Sequence, residues 1–184
     1  IGIDSGGNAY IFGSFQGTTT FGSSISLTGA GLFDCFIAKV DNQGTWEWAE
    51  GVGSSSDNDE YWDTCADIAT DASGNSFVTS NYFGNVSFGS SISITSSGNS
   101  DIFVARISNS GIWQWARSGG GPDHDFAGGI ALDNIGNVYV TGSFGHLSGS
   151  SATFGTSTIT SGGGKDVFVA KLSGSGSWPW VIGS

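Results

Sequence analysis

Three groups of side chains in this sequence could do chemistry. The first is Asp123-His124-Asp125, an imidazole between two carboxylates. Histidine and aspartate together can hold a metal ion or move a proton. Adjacent side chains in an extended chain point to opposite sides, however, so these three do not converge on one ion. The trio reads as a surface connector. The second group is the acidic stretch Asp57, Asp59, Glu60 and Asp63, which also carries Tyr61 and Trp62. Its Asp-x-Asp step offers oxygen ligands that suit calcium, but it lacks the Gly and terminal Glu of an EF-hand loop. A solvated acidic loop is the favoured reading, and calcium is the one cofactor left open. Exposed rings beside carboxylates can also hold a glycan by stacking and hydrogen bonding, so Asp57, Asp59, Glu60, Tyr61, Trp62 and Asp63 make the candidate ligand-binding patch. The third group is Cys35 and Cys65. A bond between them would close a loop of about 30 residues and stabilise the fold by ~3.5 kcal/mol through loop entropy. An oxidising compartment would permit it, and two buried free thiols are the alternative.

No catalytic set stands out. The histidines are His124 and His146, and the glutamates are Glu47, Glu50 and Glu60. There is no G-x-S-x-G elbow, no phosphate-binding loop and no H-E-x-x-H. No catalytic residue and no metal site is assigned, and the chain is expected not to be an enzyme.

Composition narrows the class. The 184 residues include 32 Gly, 7 Trp, 4 Tyr and 13 Phe, with 2 Pro and no Met. Gly with Ser and Thr alone would suggest a linker. Interleaved Trp, Phe, Val and Ile argue instead for a buried core in one domain. The net charge of −11 should repel nucleic acid and anionic membranes. No apolar run approaches the ~20 residues that span a bilayer, so membrane insertion is not expected. Ile1 already lies inside a repeat, so any targeting segment is expected to lie outside this sequence.

The elements that must position these groups recur three times. Ile1 to Phe15, Ile68 to Phe83 and Ile130 to Phe144 each read as strand, tight turn and strand. Asp4, Asp71 and Asp133 start the turns, whose Asp-x-x-Gly-Asn pattern supplies a carboxylate for turn amides and a Gly for positive φ. Next comes a polar hairpin around Phe21-Gly22, Phe88-Gly89 and Phe154-Gly155. A third strand follows at Asp34 to Lys39, Asp101 to Arg106 and Asp166 to Lys171, where three of the five basic residues share one position. They read as a strand-end charge or ion pair repeated once per unit. Each unit closes on Trp-x-Trp: Trp46 and Trp48, Trp113 and Trp115, Trp178 and Trp180. In a regular strand both indoles share one face. Sugar stacking is an alternative, but recurrence in phase favours packing between units. Pro179 replaces Glu47 and Gln114 and marks an edge strand. One unit is about 65 residues, and the units are drawn as 1–67, 68–129 and 130–184 within one repeat domain. With no helical periodicity, the fold class is all-β.

DxxGNxYVTGxF, then DxFVAKL, then GxWxWAxxxGG resembles the SBBP-type β-propeller repeat of bacterial secreted proteins. The resemblance covers nearly the whole chain. It implies a four-stranded antiparallel sheet per unit, the sheets set radially as blades. Propellers usually have 4–8 blades. Three units are therefore expected to be part of a larger ring, completed by missing sequence or by another chain, with an open stack or solenoid as the alternative. The function expected is a non-catalytic scaffold or binding module, extracellular or at the cell surface, for a protein or glycan partner. The alternatives are a subunit of a surface filament or coat, and an accessory domain of a secreted enzyme.

Overall fold

The computed structural model describes residues 1–31, 33–54 and 65–184, and all regular structure among them is β. The first unit holds β1 (Gly2–Ile3), β2 (Ala9–Phe15), β3 (Thr18–Phe21), β4 (Ile25–Thr28), β5 (Asp34–Val40) and β6 (Trp46–Ser54). The second holds β7 (Cys65–Thr70), β8 (Ser76–Phe88), β9 (Ile92–Ile107) and β10 (Trp113–Gly119). The third holds β11 (Phe126–Leu132), β12 (Val138–Phe144), β13 (Ser151–Phe154), β14 (Ser157–Thr160), β15 (Asp166–Leu172) and β16 (Trp180–Gly183). Each unit contributes four antiparallel strands, ordered β1-β2-β5-β6, β7-β8-β9-β10 and β11-β12-β15-β16. In the outer units the polar hairpin separates as β3–β4 and β13–β14, whereas in the second unit β8 and β9 run through both sheet and hairpin.

The units are not three separate sheets. The tail of β6 pairs with the hairpin end of β8, Val52 with Phe88 and Ser54 with Val86, which makes the first two units one eight-stranded sheet. The same seam joins the second unit to the third as a single bridge, Gly120 to Thr153. The inner strands β1, β7 and β11 are neighbours in turn. Asp67 on β7 crosses between them: one carboxylate oxygen accepts from the Ile130 amide at 2.9 Å.

The repeated turn is built as its residue types demand. Asp4 Oδ1 accepts from the amides of Gly6 and Asn8 at 2.8 and 3.0 Å, and Asn8 Nδ2 donates to Asp4 Oδ2 at 2.8 Å. Asp71 and Asp133 repeat all three bonds with Ser73 and Asn75, and with Ile135 and Asn137. The glycines at the fourth turn position, Gly7, Gly74 and Gly136, have φ of 81, 81 and 82°, the left-handed region that a Cβ disfavours.

The two indoles of a Trp-x-Trp do not share a face, contrary to the expectation from regular alternation. Trp113 faces Ile107 and Trp115 faces Arg106, so Gln114 is an extra residue and the register shifts. Trp46 and Trp48 show the same shift against Val40 and Lys39. A β-bulge puts two residues opposite one and reverses the side-chain alternation beyond it. Trp113 therefore enters the core between the first and second units, with Val78, Phe88 and Phe103, while Trp115 enters the core between the second and third, with Phe77, Ile102 and Val104. Pro179 begins a further departure. β16 starts at Trp180, two residues later than its counterparts, and is the outermost strand of its sheet.

The repeated basic position is not one repeated ion pair. Lys39 bridges Glu47 at 2.7 Å. What recurs is a cation over the ring of the neighbouring strand: Lys39 over Tyr10, Arg106 over Phe77 and Lys171 over Tyr139; Gln114 and Pro179 stand where Glu47 does.

Candidate functional site

Of the residues that sequence alone singles out, Asp57, Asp59, Glu60, Tyr61, Trp62 and Asp63 lie outside the described residues. Cys35 and Cys65 are joined by a disulfide, with their Cα atoms 5.7 Å apart. The bond ties β5 of the first unit to the start of β7, so it crosses from one unit to the next.

Asp123, His124 and Asp125 do separate, as adjacent side chains should, but they are not a plain surface connector. Asp123 pairs with Ser150 Oγ on the loop before β13. His124 Nδ1 lies 3.1 Å from Ser100 Oγ. Asp125 is buried, at 1 % exposure. It accepts from the Gly121 amide at 2.7 Å and from the Gly145 amide at 3.4 Å. The three side chains thus fasten one connector to β9, to its own backbone and to the third unit.

Asp125 also meets a second buried acid. Asp101, the first residue of the repeated D-x-F-V-A motif, has one oxygen bonded to the Ser97 amide at 2.8 Å and the other without a partner. A Cβ on Gly120 would fall 2.6 Å from Asp101 Oδ1 and 2.7 Å from Asp125 Oδ2, so both carboxylates close on one glycine. Burial raises the proton affinity of Asp101. Burial chiefly, then the Asp101 charge, pushes Asp125 up to about 7 against the Gly121 hydrogen bond. Two buried acids this close favour one held neutral near pH 7. Sequence reasoning missed this pair. The signal was the Gly119-Gly120-Gly121 run, in which Gly120 lies against both carboxylates, Gly119 against the Phe154 ring and Gly121 against the Ser151 carbonyl.

The surface with the clearest capacity to bind is a face of the third unit. Tyr10, Cys35, Ile37 and Trp48 form one face of the first unit and are covered by the second. Phe77, Ile102, Val104 and Trp115 hold the same register positions in the second unit and are covered by the third. Tyr139, Val167, Val169 and Trp180 hold them in the third. There Val167 is 55 % exposed where Ile102 is fully buried, and Trp180 is 36 % exposed where Trp115 is 8 %. Ile182, paired with Val169, adds a further exposed side chain. A groove of about 390 Å³ runs beside Tyr139, Thr141 and Val169.

A family model described as a beta-propeller repeat, SBBP, matches residues 114–143. The match runs from Gln114 on β10, across the connector with Asp123 to Asp125, to the second strand of the third unit. The chain carries an SBBP β-propeller repeat. No curated protein matches it. The SBBP match thus spans one seam, with the bulged Trp115 strand, the buried Asp125 and the Asp133 turn all inside it. These are packing and turn-forming residues, and the open face of β15 and β16 lies outside the match.

Proposed function

We propose that this chain is a non-catalytic scaffold and binding module, working outside the cell or at its surface, with a protein or glycan as partner. The observation that carries the reading is a division of labour along the repeat. Side chains that recur in phase hold turns and faces: Asp4, Asp71 and Asp133 are fully engaged with their own turn amides. The stretch Asp57 to Asp63 has no counterpart in the third unit and reads as a connector, and connectors on a rigid β scaffold are where recognition usually sits. The disulfide supports an oxidising compartment. The acidic aromatic patch from Asp57 to Asp63 remains the proposed ligand site on its sequence alone.

The test is to screen the purified protein against glycan and protein panels, and in parallel against a hydrolysis panel. Saturable binding without turnover is expected. Reproducible turnover that is lost on His124→Ala or Asp125→Asn would overturn the reading.

A further inference from the structure

The same carboxylate oxygen is left over in two units. Asp34 and Asp101 open the third long strand of their units, and both are buried, at 2 % and 0 % exposure. In each, Oδ2 accepts one backbone amide, from Gly31 at 3.2 Å and from Ser97 at 2.8 Å. In each, Oδ1 is enclosed and has no hydrogen-bond partner. Each Oδ1 also turns toward the glycine five residues past the second Trp of its unit, Gly53 or Gly120. A Cβ on Gly53 would collide with Asp34 Oδ1, and one on Gly120 would stand 2.6 Å from Asp101 Oδ1. Buried charges are ordinarily paired, hydrogen-bonded or bound to a metal. An orphan that recurs in phase is a feature of the repeat and asks for a partner.

At the second seam the partner's other ligand is in place. The point 2.6 Å from Asp101 Oδ1 is 2.7 Å from Oδ2 of the buried Asp125. Calcium–oxygen bonds are ~2.3–2.6 Å long, so both oxygens are within reach of one ion. The donors are all oxygen, because His124 turns its Nδ1 to Ser100 instead. Oxygen donors select a hard cation over zinc or copper. Among the described residues no three His, Cys, Asp or Glu side chains gather as a metal site. The remaining positions would therefore fall to carbonyls, hydroxyls and water, which calcium's flexible shell of about 6–8 oxygens accepts and magnesium's strict octahedron does not. Two carboxylates balance one divalent charge, and a chain of net charge −11 concentrates cations around it. The site also spans the seam. Asp101 belongs to β9 of the second unit, while Asp125 takes the Gly145 amide of the third.

We propose that Asp101 and Asp125 bind one divalent cation of the calcium type, which locks the second unit to the third. The site is separate from the acidic stretch Asp57 to Asp63 and independent of what the scaffold binds. Without the cation one acid of the pair takes a proton instead, so the pH behaviour of these two acids belongs to the metal-free chain.

The test starts from the whole chain stripped with EDTA and titrated with calcium chloride. Calorimetry should show saturable binding, and the melting temperature should rise with calcium at neutral pH. Terbium, which takes calcium's oxygen sites, gives a local readout. Tyr82 donates to Ser118 Oγ at 2.6 Å, and Ser118 Oγ donates to Asp101 Oδ2 at 3.4 Å, so exciting tyrosine should light bound terbium and added calcium should quench it. Asp125→Asn and Asp101→Asn keep the side-chain shape, and circular dichroism in chelator would check their folds. Each should weaken binding at least about 10-fold, since even the outer partners of a metal typically account for 10–100-fold. Asp57→Asn with Asp59→Asn should leave affinity and melting shift unchanged. Absence of saturable binding at millimolar calcium would overturn the proposal, leaving a shared proton as the partner of the orphan oxygen. So would calcium binding that survives in whichever aspartate-to-asparagine variant folds, or that disappears only with Asp57 and Asp59.

Discussion

Gly111 lies flat on the indole of Trp48: a methyl group on its α-carbon would stand 2.9 Å from Cδ2 and 3.1 Å from Cγ. Its own φ of 78° further disfavours any side chain. Gly111→Ala should therefore cost about 2 kcal/mol, through backbone strain and ring displacement. Trp48→Ala should cost about 2–3 kcal/mol, from lost packing and the lost bond to Asn109. Because the two touch, denaturation of the double variant should show about 1 kcal/mol of relief relative to the sum. Strict additivity would mean that the ring does not rest on the glycine.

Stability should fall as the pH rises from about 4 through 7. Asp125 moves from an unfolded value of 3.8 to about 7 in the fold, and burial moves Asp101 in the same direction. The native state then holds more protons than the unfolded chain across that window, so deprotonation costs stability. Asp4 and Asp133 act oppositely. Their asparagine partners hold them below the ordinary range, so what they contribute is present above about pH 4 and lost as the pH falls further. Melting temperature against pH should therefore peak near the acid end, between these limbs. Asp125→Asn should flatten the limb from 4 to 7 and raise stability at pH 8. An unchanged slope in that variant would show that Asp125 is not the group responsible.

Reducing the disulfide should loosen the first seam. Cys35 is buried, and its bond to Cys65 closes a span of 30 residues across two units. Changing both cysteines to serine should cost roughly 3.5 kcal/mol on the loop-entropy account. Hydrogen exchange should rise first in the β6 tail paired with β8, at Val52 to Ser54. Faster exchange confined to the third unit would contradict this.

Replacing Tyr61 and Trp62 together with alanine should weaken partner or glycan binding without lowering the melting temperature. Loss of stability with binding unchanged would make the stretch a packing element and remove it as a ligand site.

The parts of this fold that were legible in the sequence are those whose cause is local. Asp-x-x-Gly-Asn specifies its turn because the carboxylate, the positive φ and the asparagine amide all act within five residues. The all-β class followed from period-two stretches such as Ile92 to Thr95. The faces of the paired tryptophans were not legible. A bulge at Gln114 is an event between β9 and β10, and residue types on one strand do not show it. Nor was the burial of Asp125, which depends on a connector folding back over Asp101, far from it in sequence. Repetition helped with packing residues and misled for the connector, where charged residues looked solvated because nothing in the other units matched them.

The bulge that turns the Trp pairs of the first two units outward in two directions bears on how such chains lengthen over generations. A duplicated unit arrives with a plug on one side and a socket on the other, so it can be spliced in without compensating changes in its neighbours. The same self-sufficiency means that no residue keeps a tally. The contact at each seam is the same whatever the number of units. Copy number can therefore change while every local contact stays the same.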